Sequence, residues 1–97
     1  MTLHLGGNRL RTLPGAALRL TCLQHLDLSR NALTSLPASI SSLAALRCLD
    51  VSHNRLESLP DALSSLVVLQ HLCLADNPLD TLGDVLGALT GLTHLDV

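Results

Sequence analysis

Leu46-Arg47-Cys48-Leu49-Asp50-Val51-Ser52-His53-Asn54 follows the pattern L-x-x-L-x-(L/V)-x-x-N, and that pattern returns 23 residues away on either side. Leu23 to Asn31 is the earlier copy and Leu69 to Asn77 the later one, while Asn8, Asn31, Asn54 and Asn77 keep a single register. A fixed period of this length marks a repeat architecture, in which each unit is one small element stacked on the next.

The register extends beyond those nine residues. Leu33, Leu56 and Leu79 stand two places after the asparagine, and Leu36, Leu59 and Leu82 three places further on. Leu-Pro recurs at 13–14, 36–37 and 59–60, followed by Ile40, Leu63 and Leu86 and then Leu43, Leu66 and Leu89. With these residues in hand, the chain resembles the leucine-rich repeat family, in the 23-residue LPxxLxxL variety met in intracellular scaffolds such as Scribble and Erbin. The resemblance implies an α/β repeat: a right-handed leucine-rich-repeat solenoid with a parallel concave β-sheet and short helical or 3-10 segments on the convex side. It implies one domain over residues 1–97, with units near 1–22, 23–45, 46–68 and 69–91 and a partial unit at 92–97.

Composition agrees with a folded chain, since 47% hydrophobic residues and a mean hydropathy of +0.42 are far from those of disordered segments. Polar residues interrupt the leucines every two or three positions, so no apolar run approaches the ~18 to 20 residues of a membrane span. The opening residues Met1 to Asn8 already read as repeat sequence, without a basic and then apolar leader. The three cysteines do not form an evident disulfide framework. Cys48 and Cys73 fall on neighbouring strands at diagonal positions about 8 Å apart, too far for an unstrained bridge. Free thiols and the lack of an Asn-x-Ser/Thr sequon lead to the expectation of an intracellular, cytoplasmic protein.

The net charge of −2 suggests no polyanion partner, but its distribution is uneven. Residues 1–48 carry five arginines against Asp27, or +4, whereas residues 49–97 carry Arg55 against seven acidic residues, or −6. In a solenoid, sequence order is spatial order, so the two ends should differ in potential.

Along the chain, alternation places Leu26 and Leu28, or Leu49 and Val51, in the core, in strands expected at 25–28 and 48–51. His25 and Asp27, or Cys48 and Asp50, then face the other side of the sheet. Gly6 and Gly7 replace the Ser-Arg and Ser-His found before later asparagines, which suggests a looser end to the first strand. Helical spacing at 38–44 and 61–67 predicts short helical or 3-10 turns, with Asp61 and Asp84 near their N-terminal ends. Gly83 replaces proline in the fourth unit and leaves its turn less defined. Leu92, Leu95 and Val97 open a fifth strand. Neither end shows a polar cap, which would permit self-association by stacking or mark a piece of a longer solenoid.

Asn8, Asn31, Asn54 and Asn77 read as structural, because a carboxamide can satisfy backbone groups where the chain leaves each strand. Family resemblance places ligands on the concave face. Carried to matching positions, it selects His25, Asp27 and Arg30; Arg47, Cys48, Asp50 and His53; His71, Cys73 and Asp76; and His94 and Asp96. They form two columns, Thr2/His25/Cys48/His71/His94 and His4/Asp27/Asp50/Cys73/Asp96, with neighbours about one strand spacing apart.

A protein partner held on this rigid face is the reading adopted, with signalling or scaffold work implied by the resemblance. Spacer units that bind nothing themselves are the alternative. Cys48, Asp50, His71 and Cys73 bring zinc-type ligands to the corners of a rectangle, but side chains rising in parallel converge poorly on one ion, so no metal or cofactor is expected. Catalysis is not expected, for want of an oxyanion hole, a phosphate loop or an enclosed cleft. Nucleic acid is not expected either, because the face lacks lysine and aromatic residues and carries aspartates.

Overall fold

The computed structural model describes residues 1–80 and 85–97. Expectations for Leu82, Gly83 and Asp84 therefore concern residues outside the described ones. Five three-residue strands, β1 (Thr2–His4), β2 (His25–Asp27), β3 (Cys48–Asp50), β4 (His71–Cys73) and β5 (His94–Asp96), form one parallel sheet in sequence order. Every pairing is offset by one repeat: Thr2 lies beside His25, His25 beside Cys48, Cys48 beside His71, and His71 beside His94. The assigned strands are one residue shorter than 25–28 and 48–51, although Leu28 N–H still donates to the Asp50 carbonyl at 2.7 Å and Val51 N–H to that of Cys73 at 3.0 Å.

The opposite side is built from 3-10 turns at Ala17–Arg19, Ala38–Ser42 and Asp61–Ser65. Pro37 and Pro60 immediately precede the second and third, in extended conformation, and accept the first turn bonds from Ile40 and Leu63. Proline fixes the entry and its missing N–H is not needed there. The fourth unit differs, with an α-helical turn at Val85–Ala88. There Val85 is the buried residue and Leu86 only half-buried, whereas Ile40 and Leu63 are fully buried in the preceding units. The column expected to run Ile40, Leu63, Leu86 thus passes to Val85 at its last step.

Between the two layers lies a core composed entirely of aliphatic residues. Leu23, Leu46 and Leu69, then Leu26 and Leu49, Leu43 and Leu66, and Leu33 and Leu56 have no more than 1% exposure. Each such side chain contributes roughly 1.5 to 3 kcal/mol when fully buried. A 23-residue unit can bury its leucines only against a neighbour, so stacking and folding are one process.

The ends of β1 to β4 turn through the left-handed region. Gly7, Arg30, His53 and Asp76 have φ of 72°, 57°, 55° and 58°, and each stands directly before an asparagine of the ladder. Gly7 therefore supplies the conformation that this turn demands, and the first strand end is not loosened by it. Gly6 is also closely placed, because a Cβ there would lie 3.2 Å from the Ser29 hydroxyl.

Candidate functional site

Behind the sheet end runs the asparagine ladder. Asn54 Nδ2 donates to the carbonyls of Leu28, Val51 and Ser52 at 2.9, 2.9 and 3.1 Å, while its Oδ1 accepts Leu33 N–H at 3.1 Å. Asn31 makes the corresponding bonds to Leu5, Leu28 and Ser29 and accepts from Asn8 and Leu10. Asn77 reaches Val51, Leu74 and Ala75 and accepts from Leu56. Asn8 keeps only the bonds to its own unit, at Leu5 and Gly6. Each amide after the first therefore ties two consecutive strand ends together.

On the face of the sheet, both expected columns are assembled in register. His25, Cys48, His71 and His94 are adjacent in one, and Asp27, Asp50, Cys73 and Asp96 in the other. The remaining candidates are elsewhere. Arg47 immediately precedes β3, while Arg30, His53 and Asp76 occupy the left-handed turns at the rim. There His53 Nδ1 meets Asp76 Oδ2 at 2.9 Å.

The aspartates have a second duty that the columns alone did not reveal. Asp27 Oδ1 accepts from the Ser29 amide and hydroxyl at 2.9 and 2.7 Å, and Asp50 Oδ1 does the same for Ser52 at 2.9 and 2.6 Å. The sequence signal was the repeated Asp-x-Ser; Cys73-Leu74-Ala75 in the next unit has neither partner. Hydrogen bonding by the Ser29 hydroxyl, aided by its amide and by His4 and partly opposed by desolvation, holds the Asp27 carboxyl below the usual carboxylate range. His4 Nδ1 lies 3.7 Å from Asp27 Oδ2. Oδ1 of each carboxylate thus fixes the strand end.

Cys22, Cys48 and Cys73 are free thiols. Burial, reinforced by Asp50 and Asp27, pushes the Cys48 thiol up. Burial does the same for Cys73, where bonds from Ala75 and Ser52 oppose the shift and the Asp50 and Asp96 charges add to it. Thiols kept protonated are poor nucleophiles and poor metal ligands. Cys48, Asp50, His71 and Cys73 do occupy adjacent register positions. Yet among the described residues no group of three or more His, Cys, Asp or Glu is placed to hold a metal ion. Two contacts in β4 and β5 had no counterpart in the sequence reading. The His71 and His94 rings stack with centroids 4.4 Å apart and planes 11° from parallel, and Cys73 Sγ donates to Asp96 Oδ2 at 3.6 Å.

A sequence model described as leucine rich repeat matches residues 1–56, more than half of the chain. The chain belongs to the leucine-rich repeat family. Among solved structures, this leucine-rich repeat chain is similar to a leucine-rich repeat protein of Leptospira interrogans, with 36% identity and a TM-score of 0.93 over 98% of its length. A TDR receptor is similar at 31% identity, with a TM-score of 0.83 over 95% of the chain. The chain spans only 24% and 17% of those two proteins. No curated protein matches it at a comparable level. The solenoid architecture is thus established, and leucine-rich repeat domains commonly serve as protein-binding modules. Among the described residues no helix is long and apolar enough to cross a membrane.

Proposed function

We propose that this leucine-rich repeat segment is a protein-interaction module that binds its partner on the concave strand face. The observation that carries the reading is the pair of in-register columns: polar side chains held at one strand spacing on a sheet whose other face is packed leucine. Such a surface is ordered before the partner arrives, so little conformational entropy opposes binding. Work in an intracellular signalling or scaffold protein of the Scribble and Erbin type is part of the same proposal, supported by the Leu-Pro spacing and the three free thiols. Binding rather than catalysis suits an open face whose two strand cysteines are held protonated.

The test is capture from a cell lysate by the wild-type chain and by an Asp27→Asn/Asp50→Asn/His71→Ala variant. Asparagine keeps the Oδ1 acceptor that Ser29 and Ser52 require, so the strand ends survive while charge and the imidazole are lost. A protein retained by the wild type and lost by the variant supports the concave face. Equal capture by both places the contact elsewhere, and no specific capture by either favours spacer units.

A further inference from the structure

On the concave face, β4 and β5 are joined by a contact between two titratable rings. His71 and His94 are register partners, and their imidazoles stack with centroids 4.4 Å apart and planes 11° from parallel. Both residues are exposed, so protons reach them freely. Histidine changes charge between about pH 5 and 8, and the pair can therefore be neutral, singly charged or doubly charged within an ordinary range of pH.

The three forms differ in kind. Neutral offset rings attract each other, and one imidazolium over a neutral ring keeps that attraction and adds the pull of a cation on a π face. With both rings protonated, two like charges at 4.4 Å disfavour the stack about fivefold even in water.

Neighbouring groups do not remove this conflict. From one side come Arg47, just before β3, and Cys48 and Asp50 within it, with His25 and Asp27 beyond on β2; Cys73 shares β4 with His71, and Asp96 shares β5 with His94. Burial keeps both thiols protonated and so neutral. Among the described residues the histidine–carboxylate pairs are His4 with Asp27 and His53 with Asp76, so neither stacked ring has a carboxylate of its own. Asp50 and Asp96 lie in the adjacent column and do not come between the rings.

The two rings are not held equally. His94 Nδ1 lies 3.0 Å from Thr93 Oγ1, and a hydroxyl can donate or accept, so that contact outlasts a change of charge. The His71 ring makes no hydrogen bond among the described residues, and its register partner on the other side is the uncharged Cys48.

We propose that the His71–His94 stack is an acid-sensitive clasp: it stays closed while the pair carries at most one charge and opens when both rings are charged, His71 swinging off His94 toward β3. The backbone does not follow, because the Thr93 and His94 N–H groups both donate to the Gln70 carbonyl, at 2.8 and 3.0 Å, and Leu74 N–H to that of Asp96 at 2.6 Å. Opening bares ring faces that cover each other near neutrality. The clasp is a property of the fold and does not require that the concave face bind a protein.

The experiment follows the histidine rings of the whole 97-residue chain by NMR from about pH 8 to about pH 5. The cross-relaxation peak between His71 and His94 ring protons should be at least about fivefold weaker at the acid end, while the amide pattern of β4 and β5 is kept. His25, whose register neighbours are Thr2 and Cys48, has no ring beside it and serves as the reference. In His94→Gln, an exposed substitution, the His71 ring shifts should track those of His25; in the wild type they should depart from them as the peak is lost. A peak missing at the alkaline end, a peak that survives in acid, or a His71 profile that is the same in wild type and His94→Gln would each overturn the proposal. Loss of the β4 and β5 amide pattern together with the peak would overturn it too, since the strands rather than the rings would then have parted.

Discussion

Asn54 Oδ1 accepts the backbone N–H of Leu33 at 3.1 Å, a bond spanning 21 residues, and the same amide donates back to Leu28 in that preceding unit at 2.9 Å. One side chain, 7% exposed, therefore satisfies buried backbone groups on two repeats. Asn54→Ala should destabilise the chain by about 3 kcal/mol, because unpaired buried polar groups cost about 1 to 3 kcal/mol each and some regain water. Arg55→Ala, at the exposed neighbour, should stay within about 0.5 kcal/mol. Equal denaturation midpoints for the two variants would count against the ladder.

The left-handed turns set a second expectation. At Gly7, φ of 72° is strained for any side chain, so Gly7→Ala should cost about 1 kcal/mol even though a Cβ there touches nothing. Gly87→Ala, in the exposed α-helical turn and equally free of contacts, should instead gain roughly 0.5 to 1 kcal/mol. Thermal unfolding of the pair measures the opposite signs directly.

Acid should weaken the first strand junction. Asp27 has a folded pKa below its unfolded value, so its contribution is present above the unfolded value and lost as pH falls through the folded one. In urea unfolding, the stability difference between wild type and Ser29→Ala should therefore be full near neutrality and shrink below about pH 4. A difference that stays constant into acid would mean that the Ser29 bonds do not favour the ionised carboxylate.

Alkali should act through the thiols. Cys48 and Cys73 are raised in the folded chain, so the stability they hold is full below the unfolded cysteine value and is lost as pH rises above it toward the folded value. Cys48→Ser should flatten that alkaline loss. Maleimide should modify exposed Cys22 before either strand cysteine. Simultaneous labelling of all three would show that the strand thiols are not protected.

Much of this fold was legible because a repeat states itself several times. Leu23, Leu46 and Leu69 fix the period, and alternation around Leu26 and Leu49 then fixes which residues share a face. What escaped were contacts that need three dimensions or a single unrepeated residue. The left-handed turn hides behind arginine, histidine and aspartate at positions 30, 53 and 76, and only Gly7 announces it. Val85 replaces Leu86 in the core because the last turn is α-helical, a shift that a periodic pattern does not register. The doubled role of Asp27 and Asp50 was written in Asp-x-Ser, yet it resembles ordinary strand-end polarity until the bonds are seen.

The central claim is that partners meet the concave face. A photo-crosslinking amino acid placed at exposed Gln70, just before β4, tests it against the same group at exposed Ser65 on the opposite side. The concave reading predicts a specific crosslinked partner from position 70 and none from position 65. A partner crosslinked from position 65 alone would contradict it.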